Sequence, residues 1–485
     1  MPGVLEMASG SSRCCRQGAW LQMTHGEGRT TRMVQRFQMI EIVMRVMRAP
    51  LIFLAILFMA SGLASEAREA EPPPDGSHVE VAGDAEAGYR LLRNGEPFVI
   101  RGAGGEGSLE TLAACGGNAI RTWDAEVPAR AVDGRRMIDR AHDLGLTVTV
   151  GLWLGHERHG FDYADAAQLA KQQAMVEEAV VAFRDHPALL VWGLGNEMEG
   201  PGDKPVIWRE VNRLARRIKE LDPHHPVMTI VANISPEKLA CITEYAPDID
   251  ILGINVYGGA GSIASRLRSE RWTKPYCITE FGLPGPWEVG HTEWKAPIEP
   301  SSREKAATTH AAQVSIMEDA KHCLGSYVFL WGQKQEATAS WFGMFLPSGE
   351  KTIRVDAMAH AWTGHWPSNR APVLEEADVP WRNSTVDSAA TGTARVRYRD
   401  PDGDPLEYHW EISEESSDRR EGGDAERRPA VVADSVVPGP DGSVAIHAPK
   451  KPGAYRLFVT VKDGHGSGAM DNWAFQVAPS SQVAP

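Results

Sequence analysis

Several features that define large protein classes are scarce or missing in this sequence of 485 residues. Lys and Arg number 50 against 64 Asp and Glu, and this net charge of −14 makes a nucleic-acid-binding role implausible, because phosphate groups require a basic face. The six cysteines include no CxxC pair and are too few for a dense disulfide framework, so neither a cysteine metal site nor a disulfide scaffold is indicated. No serine lies in a GxSxG elbow, which leaves serine-hydrolase chemistry unsupported.

Long hydrophobic runs are also scarce, and the main one lies near the amino terminus. Residues 49–64 are uncharged and apolar, follow Arg45 and Arg48, and end in small residues. A basic flank, a short apolar core and small residues at the exit are typical of a secretory signal. An uncleaved membrane anchor is the alternative, although the run is shorter than the ~20 residues that span a bilayer. We predict an amino-terminal extension with a signal peptide over 1–67 (the signal itself near 44–67), and a secreted or periplasmic protein.

The remaining composition is that of a folded protein with more than one domain. Hydrophobic residues make up 42% and charged residues 24%, which excludes disordered, collagen-like and multi-span membrane chains. The length indicates two or three domains. The 15 tryptophans mildly favour a carbohydrate ligand, because indole faces are flat apolar platforms.

After a predicted linker over 68–87, short apolar runs alternate with helical stretches. Two runs flank Asn94-Gly95, which predicts a hairpin. Strands buried on both faces are expected where the hydrophobic run is continuous, as in parallel sheets. Eight such βα units predict a (β/α)8 TIM barrel over 88–367, with a doubly wound open sheet as the alternative. The predicted barrel strands are 98–104, 118–123, 147–154, 189–197, 226–233, 250–257, 276–282 and 325–332.

After residue 367 helical periodicity ends and strand-like runs follow, which predicts an all-β sandwich over 368–485. The sequences RDPDGDPLEYHW and GAYRLFVTVKDGHGSG resemble the polycystic-kidney-disease and cadherin-like domains of many secreted enzymes. Asp400, Asp402 and Asp404 lack the carboxylate that an EF-hand places at its twelfth loop position, so we predict a solvated turn there.

Two glutamates close predicted barrel strands. Glu197 ends the fourth strand and Glu280 lies at the end of the seventh. Active sites of TIM barrels lie at the carboxyl ends of the strands, and the fourth and seventh strands face each other across the mouth. Two converging carboxylates are what glycosidic cleavage requires, one to protonate the departing oxygen and one to meet the oxocarbenium-like centre.

The motifs GLGNE and ITEFG, together with NGEPFVIRGAG, NAIRTW and DHPALLVWGLGNE, resemble clan A glycoside hydrolases. The likeness covers about 88–335 and is greatest to the barrel domain of the family that contains β-galactosidases, β-glucuronidases and β-mannosidases. The family's histidine-bearing motif after the first strand is replaced here by GAGGEG. An open cleft for a β-glucan chain is therefore as compatible with the sequence as exo action.

The resemblance implies a role for individual residues. Glu197 would be the general acid/base and Glu280 the nucleophile of a retaining reaction. Asn196 would contact the sugar 2-hydroxyl, and Arg121 would position the nucleophile. Tyr257 would hydrogen-bond that nucleophile, and Trp331 would form the floor of the subsite that binds the cleaved sugar.

Two further side chains are candidates for substrate binding. His156 follows the third strand on the catalytic side and is expected to contact a sugar hydroxyl. A metal site at His156 and His159 is weak, because no third ligand is apparent. Trp287 lies in the long segment 283–300 after the seventh strand, and a loop of that length is usually functional.

The sequence therefore predicts a retaining β-glycosidase for neutral β-glucan or β-galactoside glycans, acting without metal or organic cofactor on an oligo- or polysaccharide. A transglycosylase that uses the same glycosyl-enzyme intermediate and a non-catalytic glycan-binding protein are the alternatives. No membrane partner is expected beyond a signal anchor, and the sequence does not specify an oligomeric state.

Overall fold

The structure is a computed structural model that describes residues 76–440 and 442–478. The predicted extension and signal peptide over 1–67 and residues 68–75 of the predicted linker lie outside these residues. Within the described part of the chain, no helix has both the length and the apolar character needed to cross a membrane.

Eight parallel strands close into a barrel, which confirms the predicted TIM fold. Each strand pairs with its neighbours in chain order, and the last pairs with the first. The barrel strands are β4 (Ile100–Gly105), β5 (Ala119–Arg121), β8 (Thr147–Leu152), β9 (Leu189–Asn196), β10 (Val227–Ala232), β11 (Ile251–Asn255), β12 (Tyr276–Phe281) and β13 (Cys323–Trp331). Short strands β6 (Ala131–Val132) and β7 (Arg135–Arg136) form a separate pair between β5 and β8.

The barrel strands are buried along almost their whole length, because side chains on one face fill the interior and those on the other contact the helices. The helices begin at recognisable sequence signals. Asp165 accepts backbone N–H groups at the start of Ala166–Phe183, and Ser301 forms a capping box with Glu304.

The helices, in chain order, are α1 (Leu109–Ala114), α2 (Glu126–Ala129), α3 (Met137–Asp143), α4 (Ala166–Phe183), α5 (Pro205–Leu221), α6 (Pro236–Tyr245), α7 (Ile263–Ser269), α8 (Ser302–Met317) and α9 (Ile353–Thr363). The apolar side chains of α3 and α5 face the barrel: Ile138 and Ala141 are buried in the first helix, and Val211 and Leu214 in the second.

A small antiparallel sheet lies against the amino-terminal end of the barrel. It contains β1 (Val79–Asp84), β2 (Gly88–Arg93) and β3 (Glu96–Phe98), and the predicted turn at Asn94-Gly95 joins the last two. Strand β1 falls within the predicted linker 68–87, so that interpretation is wrong from Val79 onward. The strand forms because Val79 is buried against the barrel interior and its N–H donates to the carbonyl of His224.

The carboxyl-terminal region is a sandwich of two four-stranded sheets, as predicted. One sheet contains β14 (Val373–Asp378), β16 (Thr391–Arg399), β19 (Ser443–His447) and β18 (Val436–Pro438). The other contains β15 (Thr385–Val386), β21 (Gly468–Val477), β20 (Gly453–Lys462) and β17 (Glu407–Glu414). Their inner faces share one hydrophobic core that includes Trp381, Trp410 and Trp473.

The predicted turn at Asp400 is present in the loop after β16. One oxygen of Asp400 accepts the N–H groups of Asp402 (2.8 Å) and Asp404 (3.2 Å). Asp463 lies beside Asp400 and Asp404, with carboxylate oxygens of all three within 4.8 Å of one another. The sequence pattern missed Asp463 because it belongs to a different loop.

Buried polar groups join the sandwich to the barrel. Asp471 accepts both the backbone N–H and the hydroxyl of Ser302, each at 2.6 Å. Arg456 donates to the carbonyl of Pro297 at 3.0 Å, and Asn472 donates to Glu299 at 2.7 Å. Because these groups are removed from water, each needs its hydrogen-bond partner in the other domain. The contacts therefore stabilise one arrangement of the two domains.

A second buried cluster lies at the amino-terminal end of the barrel. Asp222, which is 1% exposed, accepts hydrogen bonds from the indole of Trp192 (2.7 Å), from Nδ1 of His225 (2.8 Å) and from the N–H of His224 (2.9 Å). Nε2 of His225 lies 2.9 Å from the hydroxyl of Ser77.

We expect Asp222→Ala to lower the free energy of unfolding by about 3 kcal/mol, because it leaves buried donors without an acceptor. Denaturant unfolding of the full chain measures this loss. The matched control is Asp185→Ala, whose carboxylate is 65% exposed and pairs only with Arg184, at 3.6 Å; we expect a change below about 0.5 kcal/mol. Equal stability of the two variants would contradict the interpretation.

Candidate active site

A cavity of about 650 Å³ opens at the carboxyl ends of the barrel strands. Both predicted catalytic glutamates line it. The other lining residues come from strand ends and from the loops that follow them, and five come from the sandwich. They are Trp123, Trp153, Asn196, Glu197, Ala232, Asn233, Asn255, Val256, Tyr257, Glu280, Trp287, Glu288, Phe329, Leu330, Lys334, Glu336, Arg420, Glu421, Gly422, Gly423 and Asp424.

A strand irregularity directs Glu197 into the cavity. Leu194 and Asn196 pair with consecutive residues of β10, so Gly195 is an extra residue in β9. Its φ is +73°, and a Cβ there would lie 2.5 Å from the sulfur of Met198, which explains the glycine of the GNE motif. Glu197 itself has a left-handed φ of +52°, a conformation that a non-glycine residue rarely adopts and that active sites often contain.

A similar irregularity occurs near Glu280 in β12. Ile254 and Asn255 of β11 pair with Ile278 and Glu280, so Thr279 is the extra residue. The Glu280 carboxylate accepts three hydrogen bonds: Oε1 from Arg121 and from the indole of Trp123, both at 3.0 Å, and Oε2 from the hydroxyl of Tyr257 at 2.7 Å. These donors hold both oxygens in place and stabilise their negative charge.

Two asparagines connect the glutamates through hydrogen bonds. Oδ1 of Asn196 accepts from Arg121 at 2.6 Å and from Nδ2 of Asn255 at 3.1 Å. Asn255 also donates to Glu197 at 2.7 Å, while its own oxygen accepts the hydroxyl of Thr279 at 2.8 Å. The network runs from one carboxylate to the other, so the two side chains are positioned as a unit.

The environments of the two glutamates differ. Burial, followed by the negative charge of Glu280, raises the pKa of Glu197 to about 7, although the hydrogen bond from Asn255 opposes the shift. Burial and the charge of Glu280 also raise the pKa of Tyr257 well above its usual value, which keeps its hydroxyl protonated as a donor. The Glu197 carboxyl group can therefore hold a proton near neutral pH.

The structure brings six of the eight predicted site residues together. Asn196, Tyr257 and Trp287 line the cavity with the two glutamates, and Trp287 is 62% exposed there. Arg121 is buried beneath the cavity and contacts Glu280 and Asn196 rather than the open space. Its placement fits a residue that orients the carboxylate.

Trp331 is not in the cavity, so its predicted role as floor of the sugar subsite is wrong. It is fully buried, donates its indole N–H to the carbonyl of Ser108 at 2.9 Å and packs against Phe345. Phe329 and Trp331 pair with consecutive residues of β4, which makes Leu330 an extra residue in β13. The extra residue places the two rings on opposite faces of the strand, and Phe329 is the one that lines the cavity.

His156 is also outside the cavity, contrary to its predicted contact with a sugar hydroxyl. It is 3% exposed and stacks behind Trp153, with ring centroids 4.7 Å apart. Burial lowers its pKa to about 4, so it is neutral near neutral pH. His156 thus supports the cavity wall formed by Trp153, which is 37% exposed.

Sequence analysis missed several site residues. The sequence contains a signal for two of them, because each lies near a strand end and two residues from a predicted site residue. Trp123 is two residues from Arg121, and Asn255 is two residues from Tyr257. Phe329 was hidden by the irregularity in β13. The sandwich residues 420–424 had no signal, because nothing in the sequence places that loop beside the barrel.

We expect the Glu197 carboxyl group to lose its proton around pH 7. Infrared difference spectra against Glu197→Gln, recorded between pH 5 and 9, isolate its protonated carbonyl band. Asn255→Ala removes the hydrogen bond that lowers this pKa, so the band should persist to higher pH. Asn212→Ala, which removes an amide bonded to Asp248 on the outer surface, should leave the midpoint unchanged. A fully ionised Glu197 at pH 5 would contradict the assignment.

Comparisons with known proteins agree with this barrel. Residues 143–292 match the family model "Glycosyl hydrolases family 2, TIM barrel domain", a range that contains both glutamates. A protein of Formosa agariphila named "Putative beta-glucuronidase" is 27% identical over 183 residues, which is 37% of this chain and 15% of that protein.

Two solved structures align with parts of this chain. The chain aligns with Bacteroides uniformis β-glucuronidase 2, covalently bound to cyclophellitol-6-carboxylate aziridine, at 13% identity and a TM-score of 0.45, covering 83% of this chain and 48% of that one. It aligns with the family 2 β-galacturonidase of Eisenbergiella tayi, bound to galacturonate, at 16% identity and a TM-score of 0.45, covering 60% and 55%. The chain therefore spans about half the length of these two structures and a smaller part of the Formosa protein.

The resemblance predicted from the sequence is thus confirmed over residues 143–292: the barrel that holds Glu197 and Glu280 is similar to the TIM barrel domain of glycosyl hydrolases family 2.

Proposed function

We propose that this chain is a retaining β-glycosidase that cleaves neutral β-linked glycans of the β-glucan or β-galactoside type. The observation that carries the proposal is a pair of carboxyl groups in one cavity with different environments. Glu197 is buried and has a pKa raised to about 7, whereas Glu280 accepts three hydrogen bonds, one of them from a buried arginine.

In the first step Glu280 attacks the anomeric carbon while the protonated Glu197 gives its proton to the glycosidic oxygen. The bond between that carbon and that oxygen breaks, and the leaving group departs as an alcohol. The sugar remains attached to Glu280 as a glycosyl ester.

In the second step Glu197, now a carboxylate, removes a proton from water as the water oxygen attacks the same carbon. The ester bond to Glu280 breaks, so both glutamates return to their starting states. Two displacements on opposite faces restore the original anomeric configuration.

The network around Glu280 supports this division of roles. Arg121 and the Trp123 indole share Oε1, and the Tyr257 hydroxyl binds Oε2, so the carboxylate is held for attack without rotating. Oδ1 of Asn196 is already engaged by two donors, and we expect this side chain to bind a sugar hydroxyl through Nδ2.

We expect Glu280→Ala to lower kcat on 4-nitrophenyl β-glycosides at least 1,000-fold, because the attacking group is missing. Azide should restore turnover of this variant and yield the α-glycosyl azide, which is the inverted product of a single displacement. Nuclear magnetic resonance identifies the anomer.

Glu293→Ala is the matched control, since this exposed carboxylate lies in the long segment 283–300 that follows β12 but does not line the cavity. It should retain the activity of the unaltered chain. Unchanged turnover in Glu280→Ala, or a β-glycosyl azide from it, would refute the assignment.

The charge of the cavity supports a neutral substrate. Among the described residues that line it, six have carboxyl groups and only Lys334 and Arg420 carry positive charge. Lys334 already pairs with Glu336 at 3.0 Å, and Arg420 with Asp418 at 2.7 Å. A uronate carboxylate would therefore meet mainly like charge.

We expect kcat/KM for 4-nitrophenyl β-glucoside or β-galactoside to exceed that for the β-glucuronide and β-galacturonide at least tenfold, which corresponds to about 1.4 kcal/mol. The measurement uses the unaltered chain at 0.15 M salt and pH 6, where uronates are charged. Preference for a uronide would contradict the neutral-substrate proposal and leave the double displacement intact.

A further inference from the structure

The loop between β17 and β18 brings five sandwich residues to the catalytic cavity. We name Arg420–Asp424 the wall segment. These residues line the same cavity as Glu197 and Glu280, although they belong to the other domain. Arg420 and Glu421 are exposed and present polar groups beside the cavity.

Polar contacts fix the wall segment to two barrel loops. After the third barrel strand, Asp424 lies 2.9 Å from Nε2 of His159 and 3.3 Å from Arg158. After the eighth, Lys334 donates to the carbonyl of Gly423, and the N–H of Ala337 donates to Glu426 at 2.8 Å. The segment therefore spans the mouth from one loop to the other.

Backbone geometry at two glycines permits this close approach. Gly422 and Gly423 have φ values of +58° and +76°. These left-handed conformations favour glycine, and a Cβ on Gly422 would lie 2.6 Å from the guanidinium of Arg158, which would have to move.

The base of the loop is braced from within the sandwich and from the barrel. Asp418 pairs with Arg420 at 2.7 Å and with Arg427 at 3.3 Å. Glu415 pairs with the buried Arg456 at 2.8 Å, and that arginine also donates to the barrel carbonyl of Pro297. The wall segment is consequently linked through its own loop to the buried contacts between the domains.

We propose that the wall segment is a substrate-binding wall, built by the sandwich, which contacts the sugars next to the cleaved bond and limits the length of glycan that the cavity admits. This inference rests on the proposed glycosidase function. A cavity of about 650 Å³ has the size of an ordinary small-ligand pocket. Removing one wall would convert it into a longer groove.

The test compares short and long substrates in the full chain. Asp424→Ala removes the contacts to Arg158 and His159, and a second variant replaces residues 419–427 by Gly-Ser-Gly. We measure kcat/KM for the best neutral 4-nitrophenyl glycoside and for the matching β-linked hexasaccharide. Both variants should raise the hexasaccharide-to-aryl-glycoside ratio at least fivefold, the shortened loop more strongly.

The matched control is Lys451→Ala, which removes an exposed sandwich ion pair with Glu414 outside the cavity and should leave the ratio unchanged. Hydrogen exchange over 420–424 reports whether Asp424→Ala has released the segment, and thermal unfolding reports whether each variant is folded. A ratio within twofold of the unaltered chain in a folded shortened-loop variant overturns the proposal.

Calorimetry with cellobiose and cellohexaose separates this failure from failure of the proposed function. In one outcome the unaltered chain cleaves neither substrate, while the folded shortened-loop variant shows an affinity ratio of cellohexaose to cellobiose at least five times that of the unaltered chain. This result supports the wall and refutes the glycosidase function. If cleavage occurs and neither ratio changes, the wall alone is refuted. A chain that neither binds nor cleaves β-glucosides or β-galactosides, including cellobiose and cellohexaose, refutes both.

Discussion

The buried guanidinium of Arg121 is the contact on which the arrangement of the cavity depends. It bonds Glu280 on one side and Asn196 on the other, and Asn196 is linked through Asn255 to Glu197. A buried cation is costly unless its donors are satisfied, and here the carboxylate, the amide oxygen and the Thr279 carbonyl accept them. The same bonds that stabilise the arginine therefore position both glutamates.

Irregular strand ends give this network its geometry. Gly195 in β9, Thr279 in β12 and Leu330 in β13 are each an extra residue relative to a neighbouring strand. Because side chains alternate between the faces of a strand, one extra residue changes the face that the next side chain occupies. These three irregularities lie near the mouth of the barrel, where they determine which side chains face the cavity.

The sandwich is integrated with the barrel through buried polar contacts. Asp471 with Ser302, and Asn472 with Glu299, join the two domains by buried hydrogen bonds. Arg456 pairs with Glu415 and donates to the carbonyl of Pro297. These contacts attach the start of the sandwich loop that contains residues 420–424 to the barrel. The negative lining of the cavity thus includes Glu421 and Asp424 from this second domain.

The sequence alone determined the barrel, the sandwich and the two glutamates, because continuous apolar runs and polar residues at their ends are local patterns. The family resemblance also predicted Arg121, Asn196 and Tyr257 correctly in position, and the length of the loop after the seventh strand predicted Trp287. The resemblance failed for Trp331, and the sequence patterns failed for His156 and for β1, whose strand depends on pairing with β2 and on burial against the barrel. Tertiary structure alone decided these positions and the placement of 420–424, because strand register and domain contact are set by packing between distant segments, which no window of sequence contains.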